Sequence, residues 1–178
     1  MDKTLQQFDN VAERCKEVFL KKTHDYGTAW RMLRPTSLTD QLFIKAKRIR
    51  SIQENKVQKV EDSIEGDFIG IVNYSVMALI QLSLPGSEPL DVTLERVAPL
   101  YDEQIAKAKE LMSDKNHDYG EAWRDMRISS ITDLILMKLL RLRQIEDNDG
   151  KTLMSEGPGA NYLDIINYAV FALILMGE

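Results

Sequence analysis

The stretch KTHDYGTAWRMLRPTSLTDQLFIKAKRIRSI at residues 22–52 returns as KNHDYGEAWRDMRISSITDLILMKLLRLRQI at residues 115–145, and 16 of the 31 positions are identical. Further on, IVNYSVMAL at 71–79 faces IINYAVFAL at 165–173, so the spacing grows from 93 to 94 residues and one residue is gained between the two landmarks. A chain that repeats itself over most of its length is built from two homologous halves. The joint falls in SLPGSEPLD at 83–91, where Pro and Gly interrupt two helical patterns. The expected organisation is therefore 1–86 and 87–178, two units packed into one globular body.

Outward from the repeat, apolar residues recur at spacings of three and four, and strand-like alternation is scarce. Phe8, Val11, Ala12, Cys15, Val18 and Phe19 make one stripe, and Leu94, Val97, Leu100, Ile105, Ala108 and Leu111 make its counterpart. Second helices are expected near 38–53 and 131–146, and third helices near 62–82 and 160–176. The fold class is all-α: a tandem duplication of a three-helix unit, with six principal helices in a pseudo-twofold bundle. Each third helix is apolar nearly all round, so a half of about 90 residues hides it only partly and the halves should pack together. Further burial in a homo-oligomer is a second expectation.

Composition narrows the function. The 178 residues carry 23 basic and 28 acidic side chains, a net charge of -5, which argues against a nucleic-acid partner. The single cysteine, Cys15, reads as packing, and no Cys/His zinc spacing is present. The N-terminus lacks a signal-peptide core, and Asn73 and Asn167 interrupt the long apolar tracts. A cytoplasmic protein with no membrane partner is expected.

Within the repeat, K-x-H-D-Y-G-x-A-W-R-x-x-R concentrates ionisable groups where a core needs none. Gly27 and Gly120 suit the left-handed position that closes a helix. His24, Asp25, His117 and Asp118 fall at the same helix ends, where a histidine favours the dipole and an aspartate opposes it. Asp25 and Asp118 are therefore divided between turn structure and metal binding. SLTD at 37–40 and SITD at 130–133 match an S-x-x-D cap, with Ser37 and Ser130 as caps and Asp40 and Asp133 as first-turn acids or metal ligands.

Lys45 and Arg48, matched by Lys138 and Arg141, share a helical face. With Arg31 and Arg124 they form a local basic excess suited to phosphate oxygens, or else to surface ion pairs. Asn73–Tyr74 and Asn167–Tyr168 stand within apolar tracts, as register-fixing hydrogen bonders or as readers of a base edge. Nearby acids are Glu61, Asp62, Glu65 and Asp67 in the first half, and Glu156 and Asp164 in the second. Gly70 stands opposite Asp164, and Asn161 with Asp164 also reads as an N-x-x-D cap. Carboxylates from facing helices would suit Mg²⁺ bridged to substrate phosphates, with Asp25, Asp118, Glu65 and Asp164 as the candidate catalytic acids.

The motifs HDYG, AWR, TD followed by K-x-x-R, and D-I-I-N-Y resemble the family called nucleotide modification associated domain 1 over nearly the whole chain. That resemblance implies nucleotide metabolism without an established reaction. Residue by residue it singles out His24, Asp25, Tyr26, Asp40, Lys45, Arg48, Asn73 and Tyr74, with His117, Asp118, Tyr119, Asp133, Lys138, Arg141, Asp164, Asn167 and Tyr168. The layout also loosely resembles the all-α nucleotide pyrophosphohydrolases of MazG type, although the first helices lack their carboxylate pair and Gly70 removes another acid. Two functions follow as expectations. One is a Mg²⁺-assisted protein that binds or hydrolyses a nucleotide or other phosphorylated small molecule; the other is a noncatalytic interaction scaffold.

Overall fold

The computed structural model describes residues 2–61 and 63–178, which leaves Asp62 outside the described residues. Six helices run in the order α1 (Asp2–Tyr26), α2 (Pro35–Asn55), α3 (Ile64–Ser83), α4 (Leu94–Tyr119), α5 (Ile128–Asp147) and α6 (Pro158–Met176), and no strand occurs among the described residues. One-turn 3-10 helices, Ala29–Met32 and Ala122–Asp125, link α1 to α2 and α4 to α5.

The apolar stripe of α1 buries Phe8, Val11, Ala12, Cys15 and Phe19, as its spacing requires. α1 and α4 both stop at glycine. Gly27 (φ +62°) and Gly120 (φ +65°) take the left-handed conformation, and their N–H groups donate to the Thr23 and Asn116 carbonyls at 2.8 Å.

The expected S-x-x-D caps are not formed. α2 starts at Pro35 and α5 at Ile128, so Ser37 and Ser130 lie one turn inside, and Arg34 and Arg127 occupy the cap positions without side-chain bonds. Pro35 explains the earlier start of α2, since its fixed φ suits the first helical residue and it has no N–H to satisfy. The N-x-x-D cap fails for the same reason: α6 begins with Pro158, and Asn161 donates back to the Gly157 carbonyl at 3.2 Å.

α3 and α6 pack on each other at the centre, α2 covers α3, α5 covers α6, and the outer pairs α1–α4 and α2–α5 close the body. Exchanging the halves preserves this pattern, and side chains repeat it. Lys16–Asp102 (3.0 Å) mirrors Lys109–Asp9 (2.7 Å), and Arg143–Asp40 (3.1 Å) mirrors Arg50–Asp133 (3.6 Å). Glu146 accepts from Thr39 at 3.1 Å just as Gln53 donates to Thr132 at 3.1 Å. The arrangement is that of an isologous dimer contained in one chain.

Phe68, Ile71, Val72 and Val76 of α3 join Ile165, Ile166, Ala169 and Val170 of α6 in one continuous core shared by the halves. By length and composition alone α3 and α6 could each cross a membrane, but here most of each helix is buried within the protein.

Candidate functional site

Each half folds its HDYG–AWR segment against its third helix and leaves an aromatic cavity there. In the first half this cavity measures about 310 Å³ and is lined by residues including Lys22, Tyr26, Trp30, Gly70, Asn73, Tyr74 and Met77. Its counterpart, about 250 Å³, is lined by Lys115, Tyr119, Trp123, Asp164, Asn167, Tyr168 and Phe171 among others. The fillings differ. Phe171 stacks on Trp123 with centroids 4.2 Å apart and planes 4° from parallel, and the Arg124 guanidinium lies 4.4 Å from the same ring. In the first half Met77 takes the place of Phe171, and Trp30 has only a tilted Phe19 ring at 6.3 Å.

The two asparagines belong to the core. Asn73 donates to the Cys15 carbonyl at 3.0 Å and accepts from the Tyr101 hydroxyl at 2.7 Å, so both ends of its amide are anchored in the core. Asn167 donates to the Ala108 carbonyl at 3.0 Å, but its Oδ1 has no partner among the described residues. The repeat explains why: the counterpart of Tyr101 is Phe8, which has no hydroxyl. Burial pushes the Cys15 thiol up to about 12, consistent with packing rather than nucleophilic chemistry.

A wider concavity lies in the second half, between α5, the connector at 148–157 and the first turn of α6. It measures about 710 Å³, and its charged lining is Lys138, Arg141, Lys151, Glu156 and Asp164. Ile145, Leu153, Met154 and Ala160 supply apolar wall. Leu153 and Met154 are fully exposed in the connector. Asp164, 9% exposed, accepts from Lys115 at 2.7 Å and from Lys138 at 2.9 Å. Burial, the largest single influence, lowers the Lys115 pKa, but the Asp164 bond and charge together with Tyr168 and Glu156 outweigh it and leave the ammonium more firmly protonated than usual. Arg141 is exposed and makes no hydrogen bond or ion pair among the described residues. The first turn of α6, whose cap residue Gly157 offers no side-chain acceptor, opens beside the same cleft.

The first half diverges at this place. Its equivalent concavity, about 350 Å³, is lined by Arg48, Ser51, Ile52, Asn55 and residues 57–60. Arg48 pairs with Asp67, which is only 4% exposed, and Lys45 stands 3.7 Å from the same carboxylate. The acid thus sits one turn earlier than Asp164 and on a different cation. At Gly70, which stands opposite Asp164, the Lys45 stem passes close: a Cβ there would come within 2.8 Å of Lys45 Cε.

The other candidate residues do not converge on these clefts. His24–Asp25 (3.5 Å) and His117–Asp118 (3.2 Å) are exposed neighbours at helix ends. Asp40 and Asp133 serve the reciprocal ion pairs between α2 and α5, Glu65 pairs with Arg14, and Glu61 is exposed before α3. Arg31 bonds Gln81 and the Glu88 carbonyl, tying the first 3-10 helix to the α3–α4 connection. Arg124 bonds Thr4 (2.7 Å), Gln7 (2.6 Å), Glu121 (3.2 Å) and Glu178 (3.0 Å). Among the described residues no three His, Cys, Asp or Glu side chains gather as metal ligands. Of the cleft's two carboxylates, Asp164 is already committed to lysines. Glu156 is therefore the cleft carboxylate that would hold a divalent cation, and the donor set does not make an all-protein cage.

Sequence reasoning assigned no role to Lys22 or Lys115, although both open the repeated motif, and it did not pair Asp67 with Arg48. Lys151 lies in a connector that the repeat does not cover, so no pattern pointed to it. Comparison with curated proteins and with solved structures gives no match. The family model described as nucleotide modification associated domain 1 matches residues 22–82 and again 115–176, the two segments that carry the cavities and most of the paired charges. On that double match the chain belongs to the nucleotide modification associated domain 1 family and carries two tandem copies of its domain.

Proposed function

We propose that the second-half cleft binds a nucleotide through its phosphates. The observation that carries this is Arg141, an exposed guanidinium with no hydrogen bond or ion pair among the described residues, set in the 710 Å³ concavity beside Lys138, Lys151 and the start of α6. Its counterpart Arg48 is neutralised by Asp67. An arginine fork, the Lys151 ammonium and the N–H groups of a helix start suit phosphate oxygens, with Lys138 held beside them by Asp164. A cleft of about 710 Å³ accommodates a nucleotide, since small-molecule sites span roughly 300–1,000 Å³. Ile145, Leu153, Met154 and Ala160 give the base or sugar an apolar surface. Glu156 is the cleft carboxylate that would hold a Mg²⁺ accompanying the phosphates, and such an ion would supply an activated water to a hydrolytic step.

Calorimetry of the whole chain with ribo- and deoxynucleoside mono-, di- and triphosphates, with and without Mg²⁺, tests this reading. Saturable binding is expected, weakened at least about tenfold by Arg141→Ala, because a charge-assisted bond is worth about 1.5–3 kcal/mol. A pyrophosphate assay on the same samples separates binding from hydrolysis. If none of the panel binds, or if Arg141→Ala leaves the affinity unchanged, the phosphate reading is lost and the scaffold reading takes its place.

A further inference from the structure

The aromatic cavity of the first half differs from everything in the second half in three ways, and each opens it to a ligand. Met77 replaces the ring that stacks on Trp123, so Trp30 carries no parallel aromatic partner. Gly70 replaces Asp164, so no carboxylate lines the cavity. Lys22 is exposed and has no hydrogen bond or ion pair among the described residues, whereas its counterpart Lys115 is held by Asp164. At the floor, Asn73 is fixed in place by the core bonds at both ends of its amide.

What remains is a pocket of ring walls with one uncommitted cation at its rim. Its volume of about 310 Å³ lies at the lower bound of the roughly 300–1,000 Å³ typical of ligand sites, which favours a small ligand. Lys45, the other ammonium nearby, lies over Tyr74 at 5.7 Å and is shared with Asp67. The free charge is therefore single, and it calls for a single anionic group.

We propose that this cavity is a second binding site, for a planar aromatic ring bearing one anionic group and of nucleoside-monophosphate size. The ring packs among Tyr26, Trp30 and Tyr74, and the anion meets Lys22. Ring stacking is tolerant of base identity, so the site selects for charge number and size more than for a particular base. This proposal stands apart from the phosphate reading of the second-half cleft, which uses none of these residues.

The test uses the whole chain carrying Trp123→Phe, which makes Trp30 the sole indole, with calorimetry of the unaltered chain alongside. The probes are the four deoxynucleoside monophosphates, their parent nucleosides and inorganic phosphate. The monophosphates should change Trp30 fluorescence saturably, the nucleosides more weakly, and inorganic phosphate not at all. Lys22→Met should bring monophosphate affinity down about tenfold, to the level of the nucleosides, as expected when one charge-assisted bond is lost. Met77→Phe, which installs the residue of the other half, should abolish the response. Tyr74→Leu should weaken it and serves in place of Met77→Phe if that variant melts early. Arg141→Ala should leave it intact, which separates this site from the cleft. No saturable response to any monophosphate, indifference to Lys22→Met, or loss of the signal in Arg141→Ala would each overturn the proposal.

Discussion

The two halves share a backbone plan but spend their charges differently. In the first half the acid on the third helix, Asp67, neutralises Arg48, and Lys22 at the aromatic cavity has no ion pair among the described residues. In the second half the acid, Asp164, bonds Lys115 and Lys138, and Arg141 over the 710 Å³ cleft has no ion pair among the described residues. A displacement of one helical turn in one carboxylate thus decides which basic side chain is structural and which is available. Duplicated cores constrain apolar positions tightly because interiors are close-packed, while charges near the surface are free to exchange partners.

Removing the arginine from each half in turn breaks this contrast most sharply. Arg48→Ala strands the buried Asp67 with only Lys45 near it and should cost about 3 kcal/mol of unfolding free energy. Arg141→Ala should change stability by no more than about 0.5 kcal/mol, since Arg141 is exposed and makes no hydrogen bond or ion pair among the described residues. Denaturant melts of the two variants measure the difference, and equal costs would erase the distinction.

The asparagine pair offers the next largest effect. Tyr101→Phe deprives Asn73 of its donor and should cost about 1–3 kcal/mol. The reverse change at the repeat-related position, Phe8→Tyr, places a hydroxyl where Asn167 Oδ1 has none and should cost less than Tyr101→Phe or even stabilise. Thermal melts of both variants, singly and together, show whether the halves can be made alike.

A smaller effect concerns Glu146, which faces Thr39 where the other half uses the uncharged Gln53. Burial raises its pKa above the ordinary glutamate value, and Asp40 and Asp147 add to the rise against the Thr39 bond. The folded state therefore holds this proton more tightly than the unfolded chain does. Stability associated with the group is full below the unfolded pKa and is lost as pH climbs through the raised folded value. Glu146→Gln should match the parent in acid and become the more stable of the two as pH rises through that window. Melting temperatures between pH 4 and 8 show the trend or its absence.

The smallest effect tests the pseudo-symmetry itself. Asp40→Asn and Asp133→Asn each remove one exposed ion pair between α2 and α5. Each should cost no more than about 1 kcal/mol, by similar amounts, and the cost should fade in high salt.

Much of the fold was legible in the chain. The repeat, the three- and four-residue periodicity, and the glycines after HDY pointed to six helices in two related sets, because periodicity and left-handed closure are local properties. The capping motifs misled. SLTD and SITD have the right residue types, but Pro35 starts its helix two residues earlier, and Asp40 and Asp133 find arginines across the pseudo-axis instead. Asn73 and Asn167 stood out as polar insertions, yet their bonds to α1, to α4 and to Tyr101 depend on how the helices cross.

The sequence alone determined the duplication, the helical class and the family, since each is written in patterns that survive without coordinates. Only the tertiary structure decided which acid neutralises which base and which cavity stays open. Those outcomes turn on a single helical turn and on the distance between side chains far apart in the chain, and one-dimensional spacing does not encode such distances.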